Sequence, residues 1–281
     1  MPGPLRPIGL LLLGLWTLAA ASAPAEAPRV VSLNPSLTQT LLALGAEDAL
    51  VGVDAWSARV EPRVRDLPRV GGLFNPSLEA IVALEPSFVA LVPSAEQRAL
   101  RERLESLDVE VLALANHTLP EVLDSIEALG ARVGRGEAAQ TRVAEIRAAW
   151  EAAERRAGAQ ARVRAVLVLQ RDPLYVVGGG SYLDAMLHAA GAENAASGFE
   201  DAYPSVSVEW LIAAAPALIL DAADPPAGAA EHWARWPSLP AVANGSVRLV
   251  DPRVTLPGPY LDRALERLAA QVSAAREAPP E

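Results

Sequence analysis

Short unbroken apolar runs alternate along the chain with longer segments of helical period. Arg29 to Leu33 is a run of strand length; Asn34-Pro35-Ser36 then turns the chain. Ser36 with Gln39 three residues on forms a capping-box start for a helix through Leu44, ended by Gly45-Ala46-Glu47. The same order returns later. Ala165 to Gln170 is a strand, Gly178-Gly179-Gly180 a loop, and Ser181 with Asp184 caps a helix to Ala190 that stops at Gly191-Ala192-Glu193. A second phrase recurs 130 positions apart, Ser77-Leu78-Glu79-Ala80-Ile81 to Pro86 matching Ser207-Val208-Glu209-Trp210-Leu211 to Pro216. Each copy precedes an apolar strand, Phe88 to Val92 and Ala217 to Leu220.

Strands and helices alternating at these lengths predict βαβ units, a parallel-rich sheet and helices on both faces, hence an α/β fold. Two copies in one chain predict two similar lobes with a cleft between them, a preferred place for a ligand. Between the copies, Pro120 to Val133 reads as a helix, Gly134 and Gly136 interrupt it, and Glu137 to Ala157 continues without Gly or Pro. That second segment would span about 30 Å. A long helix as the crossover predicts lobes at a nearly fixed separation with limited closure on ligand. The expected division is 28–118 for the N-terminal lobe, 119–160 for the backbone helix region and 161–281 for the C-terminal lobe.

The first residues change where this fold is expected to work. Arg6, an apolar run from Ile8 to Ala21 and the small residues Ala19-Ala20-Ala21 have the three parts of a secretory signal covering residues 1–21. Ala25-Glu26-Ala27 gives a second cleavage site, ending the signal at residue 27. The apolar run is shorter than the roughly 20 residues a span needs, so a cleaved signal and a soluble protein outside the cytoplasm are expected.

Composition narrows the function classes. The 281 residues are 51% hydrophobic and 21% charged, which excludes general disorder. The net charge of −10, with arginine as the only strong cation, argues against a nucleic-acid partner, because such binding needs a cationic surface. Cysteine is absent, removing disulfides, thiolate metal sites and cysteine nucleophiles. Gly179-Gly180-Ser181 lacks the glycine that follows a nucleophile elbow, and His117, His188 and His232 lie at no helical spacing, so neither a catalytic residue nor a resident metal is assigned. No enzyme is expected, and the glycine run reads as a tight turn at the cleft.

The segment Arg29-Val30-Val31-Ser32-Leu33-Asn34-Pro35-Ser36, the pair Leu44-Gly45-Ala46 with Val51-Gly52-Val53, the repeated Leu/Val-Glu phrases and Leu169 to Gly180 resemble the substrate-binding proteins of ABC importers that carry a helical backbone. Ala189-Ala190-Gly191-Ala192-Glu193-Asn194 and Leu239-Pro240-Ala241-Val242 with Asn244-Gly245 extend the resemblance over essentially the whole mature chain. That class serves cobalamin, ferric siderophores and haem, and the likeness is greatest to its cobalamin-binding branch. The resemblance implies a monomeric periplasmic receptor that delivers cobalamin or a related corrinoid, as transported ligand and not as cofactor, to a permease dimer with its ATPase subunits. The same scaffold carrying a ferric siderophore or haem is the alternative, and a secreted interaction protein without transport is the alternative of another class.

Aromatic residues where strands should end are the candidate ligand contacts: Trp56 after Leu50 to Val53, Phe74 before the Ser77 helix, Tyr175 after Gln170, and Tyr203 before the Ser207 helix. Matching positions in the resembled class line the cleft; each ring alone would serve equally to clamp its own lobe. Arg171 and Asp251 are candidate polar contacts, although Asp251-Pro252 is also a turn signal. His117 is a weaker candidate. The chain departs from the cobalamin pattern at Leu73-Phe74, at Val92 and near Thr255, where Arg253 is the available substitute for an arginine. Glu79 and Glu209 occupy the same place in the two repeats, in the first turn of a helix, where a carboxylate stabilises the dipole. The resemblance implies a second role for them as the two permease-docking carboxylates.

Overall fold

The computed structural model describes residues 28–95 and 97–277; the expected signal segment lies outside them. Strands β1 (Val30–Ser32), β2 (Leu50–Val53), β3 (Phe88–Leu91) and β4 (Val111–Ala113) form a parallel sheet in the order β2-β1-β3-β4. Parallel strands covered on both faces are apolar at successive positions, and the alternation of side chains divides them between two cores. Val30, Phe88 and Ala90 pack with Leu37 and Leu41 of α1 (Pro35–Ala43) and with Ala58 of α2 (Ala55–Val60). Val31, Val89 and Leu91 pack on the other face with Ile81 of α3 (Leu78–Val82) and Leu104 of α4 (Arg98–Ser106).

From β4 the chain enters α5 (Leu119–Arg132), held by a complete capping box between Thr118 and Glu121, and then α6 (Gly136–Gly158). Gly134, at φ 68°, takes the left-handed turn between them. The 23 residues of α6 span about 35 Å. Its Val143, Ile146 and Trp150 join one core that also contains Leu44 of the first lobe and Leu167 and Leu183 of the second. The two lobes therefore share apolar packing through this helical spine.

The second sheet is built from β5 (Val163–Arg171), β6 (Leu174–Val176), β7 (Ala192–Asn194), β8 (Leu218–Asp221) and β9 (Val247–Leu249). The order β7-β5-β8-β9 is parallel and reproduces that of the first sheet. β5 is long enough for two partners on one edge: its first half pairs with β7, and its last residues turn back antiparallel against β6. Ala165 and Leu167 face α6, α7 (Tyr182–Ala189) and Leu265 and Leu268 of α11 (Leu261–Glu277). Val166 and Val168 face Leu211 of α8 (Val208–Ala214), Trp233 of α9 (Ala229–Ala234) and Ala241 of α10 (Pro240–Ala243).

The expected two-lobed α/β architecture is present, with Ser77, Ser181 and Ser207 as N-caps. Three local expectations change. Asn34, not Ser36, caps α1, because Pro35 supplies the first helical residue and Asn34 Oδ1 accepts from the Ser36 amide at 3.0 Å. Tyr175 lies within β6 instead of a loop. A Cβ at Gly178 or Gly179 would collide with the carbonyl of Asp201 or Ser197, so this run is a packing contact with the 197–204 segment, beside the cleft. No helix among the described residues is long and apolar enough to cross a membrane.

Candidate ligand-binding cleft

Loops leaving the carboxyl ends of the strands in both lobes face one another, where open α/β sheets place ligands. On the N-terminal side, β2 is followed by Asp54, whose buried carboxylate accepts from the amides of Trp56 and Ser57, both at 2.9 Å, and from the Ser57 hydroxyl. The hydroxyls of Ser32, Thr38 and Ser57 continue this network at 2.8 and 3.1 Å. This fixes α2 and directs Trp56 outward, 39% exposed. Phe74, 69% exposed, stands on the loop before α3, which Gln97 ties down through a 2.7 Å hydrogen bond from Nε2 to the Leu73 carbonyl. Trp56, Arg59, Leu73 and Phe74 line a predominantly apolar pocket of about 600 Å³. Exposed aromatic rings around an apolar hollow hold apolar surface against water, an unfavourable hydration that a flat ligand would relieve.

The C-terminal wall is more polar. Tyr203, His117, Tyr182 and Asp224 line a pocket of about 440 Å³. Tyr203 is half-buried against the C-terminal core, and burial pushes its phenol pKa up. His117 meets it edge-on at 6.4 Å between ring centroids. The Tyr182 amide donates to the His117 carbonyl at 2.8 Å, and its hydroxyl donates to the Thr255 carbonyl, so the rim is braced by backbone as well as by rings. Asp224 reaches Arg59 at 3.4 Å, the one ion pair between the two lobes among the described residues.

The structure thus places Trp56 and Phe74 on one pocket and Tyr203 and His117 on another, with the Arg59–Asp224 pair linking the two linings. Tyr175 is 37% exposed, but it pairs with Gln170 and bridges Ser205, outside both pockets. Arg171 is engaged internally: its Nε donates to the buried Asp221 at 2.8 Å and its Nη1 to the Pro225 carbonyl at 2.8 Å. The Trp233 indole donates to the same Asp221 oxygen at 2.7 Å. Asp251 is likewise engaged, accepting from the Arg253 amide at 2.9 Å and guanidinium at 2.6 Å, with Arg267 at 3.6 Å. The Arg253 guanidinium, against the opposing effect of burial, holds the Asp251 carboxyl below the usual range. Arg253 itself lines a separate pocket of about 300 Å³ against Glu61, Pro62 and Arg263.

Sequence reasoning missed Arg59, Asp224, Asp54 and Gln97. Arg59 was detectable, since it follows Trp56 by three residues and shares its helix face. Asp54, whose partners are the amides two and three residues on, was detectable as an N-cap, whereas Asp224 and Gln97 depend on partners remote in sequence.

Glu79 and Glu209 are fully exposed on the first turns of α3 and α8. In each, its own backbone amide and then the N-cap serine hydroxyl hold the carboxyl below its ordinary pKa, with Ser77 Oγ donating to Glu79 at 3.1 Å. Both stay ionised through mildly acidic pH.

Comparison with known proteins agrees with this architecture. The vitamin B12-binding protein of Vibrio campbellii is 29% identical over 236 residues, 81% of this chain and 82% of that protein. That of Salmonella typhi is 28% identical over 271 residues, 94% and 97% of the two chains. Among solved structures, the periplasmic haem-binding protein of Roseiflexus sp. RS-1 in apo form superposes with a TM-score of 0.80 at 25% identity, covering 90% of this chain and all of that one. The periplasmic vitamin B12-binding protein of Vibrio cholerae shares the fold with a TM-score of 0.79 at 24% identity, covering 89% and 98%. The family profile described as periplasmic binding protein matches residues 30–254, from the first strand of one lobe to the turn before α11 in the other, and the chain belongs to that family.

Proposed function

We propose that the protein is a periplasmic receptor, exported by a signal segment at residues 1–21 and cleaved there, that binds cobalamin or a related corrinoid and delivers it to an ABC importer. The observation that carries this reading is the pair of exposed rings Trp56 and Phe74 on an apolar pocket, facing Tyr203 across the cleft. A broad flat ligand fits two such walls, and relatives matched over most of their length are named for vitamin B12. Residues 28–118 and 161–281 act as the two lobes, with 119–160 holding them apart. Glu79 and Glu209 dock one lobe each on arginine pockets of a dimeric permease, since Arg–carboxylate pairs set orientation and register.

Haem is the second reading, favoured by His117 beside the cleft and by the Roseiflexus neighbour. Tyr203 and His117, with ring centroids 6.4 Å apart on the same pocket, are the two candidate axial ligands for that reading. Titration calorimetry with cyanocobalamin decides. One equivalent is expected to bind with a dissociation constant between nanomolar and micromolar, about −8 to −12 kcal/mol. No heat with cobalamin, together with a Soret shift on adding hemin, would transfer the assignment to haem.

A further inference from the structure

The Arg59–Asp224 pair links the linings of the two candidate pockets. Arg59 belongs to the apolar wall with Trp56 and Phe74, Asp224 to the opposite wall with Tyr203, and the gap between them is closed by a 3.4 Å contact. A molecule touching both walls has to displace this pair. We propose that Arg59 is a specificity-determining residue that exchanges Asp224 for a hydrogen-bond acceptor on the edge of the ligand, a carboxylate, phosphate or amide carbonyl. The inference rests on the receptor reading above.

Four features support exchange over a latch that clamps the bound state. Both side chains are largely exposed, 64% and 49%, and exposed pairs of this kind hold weakly, changing an equilibrium by about fivefold at most. The Arg59 guanidinium lies 4.4 Å from the centroid of Trp56, so the aromatic ring keeps it on the N-terminal wall whether or not Asp224 is engaged. Asp224 does not follow, because its loop is braced by Arg171 donating to the Pro225 carbonyl at 2.8 Å and the Ala227 carbonyl at 3.4 Å, with Arg171 itself anchored on buried Asp221. Finally, Asp224 engages only one terminal nitrogen of a guanidinium that carries five donors, and Arg59 makes no other hydrogen bond among the described residues.

The test uses cyanocobalamin, whose ring edge carries amide side chains, and a derivative in which one of those amides is a carboxylate. Affinities are measured for wild type, Asp224→Asn, Arg59→Gln and the double variant, at low and high salt. Asp224→Asn is expected to tighten both probes, by about two- to fivefold and more for the carboxylate, with the gain shrinking in salt. Arg59→Gln should weaken the carboxylate probe by about fivefold or more, and the double variant should match Arg59→Gln alone, because Asp224 opposes binding only through Arg59. Weakening by Asp224→Asn equal to that by Arg59→Gln would make the pair a latch and overturn the exchange. Unchanged affinities in every variant would make it a bystander and overturn it equally. If wild type binds neither probe, the corrinoid reading fails, and the same variants with hemin, an edge dicarboxylate, decide the exchange.

Discussion

In the N-terminal lobe the strand order is β2-β1-β3-β4; in the C-terminal lobe the corresponding strands run β7-β5-β8-β9, and the likeness extends to single groups. Glu85 and Ala215, at the ends of α3 and α8, share a φ of 46°. Arg29 donates to the Leu84 and Glu85 carbonyls at 2.7 and 3.1 Å, and Arg164 to the Ala214 carbonyl at 2.8 Å, so an arginine at the start of the first strand staples the same helix end in both lobes. At the cleft the likeness ends. The N-terminal rim exposes Trp56 and Phe74 above a network of hydroxyls and the buried Asp54. The C-terminal rim half-buries Tyr203, adds β6 as an extra edge strand, and fixes its loops through Arg171, Asp221 and Trp233. Frame and stapled helix ends are common to both lobes; the surfaces that meet the ligand are not.

The largest expected effect falls where the lobes agree. Glu79→Ala with Glu209→Ala should leave cobalamin affinity in solution unchanged while abolishing stimulation of the permease ATPase and ligand uptake. Normal uptake by the double variant would reduce both carboxylates to helix stabilisation. The next effect falls where they differ. Arg171→Ala leaves Asp221 charged and buried with only Trp233 and a backbone amide, and should cost about 3–5 kcal/mol in chemical denaturation. Asp54→Ala in the other lobe removes a cap and should cost about 0.5–2 kcal/mol. Equal losses would erase the distinction between a charge-anchored and a cap-anchored rim. A third contrast, smaller than the loss at Arg171, separates the two walls. Trp56→Ala should weaken ligand binding by about 1–3 kcal/mol with the melting temperature of the free protein nearly unmoved, whereas Tyr203→Ala should lower both. A fall in melting temperature for Trp56→Ala without loss of affinity would return that ring to the core of its own lobe.

Much of this molecule was legible because its signals are local. The repeat of Ser77 and Ser207 with their first-turn glutamates, the apolar strands that follow, and the long segment 137–157 each depend on neighbours within a few residues. Trp56 and Phe74 stood out as large rings close to where a strand ends or a helix begins, and the fold leaves both exposed. Three candidates lie outside both pockets, Tyr175 in β6 and the charged Arg171 and Asp251. Arg171 and Asp251 have the right residue type at the right ends of strands, yet one neutralises Asp221, 50 positions away, and the other holds Arg253 and Arg267.

By itself, then, the sequence determined the duplicated α/β frame, the spine between the lobes and the aromatic character of the cleft, through periodicity, caps and turns that act over one or two helical turns. Tertiary structure alone decided which charges are internal braces and which remain at the cleft. Arg59 and Asp224 are 165 positions apart, and only the folded strand order brings them to 3.4 Å. The physical reason is that a side chain's charge is committed by whichever opposite group the fold carries to it, and that choice follows the path of the sheets, not the order of the chain.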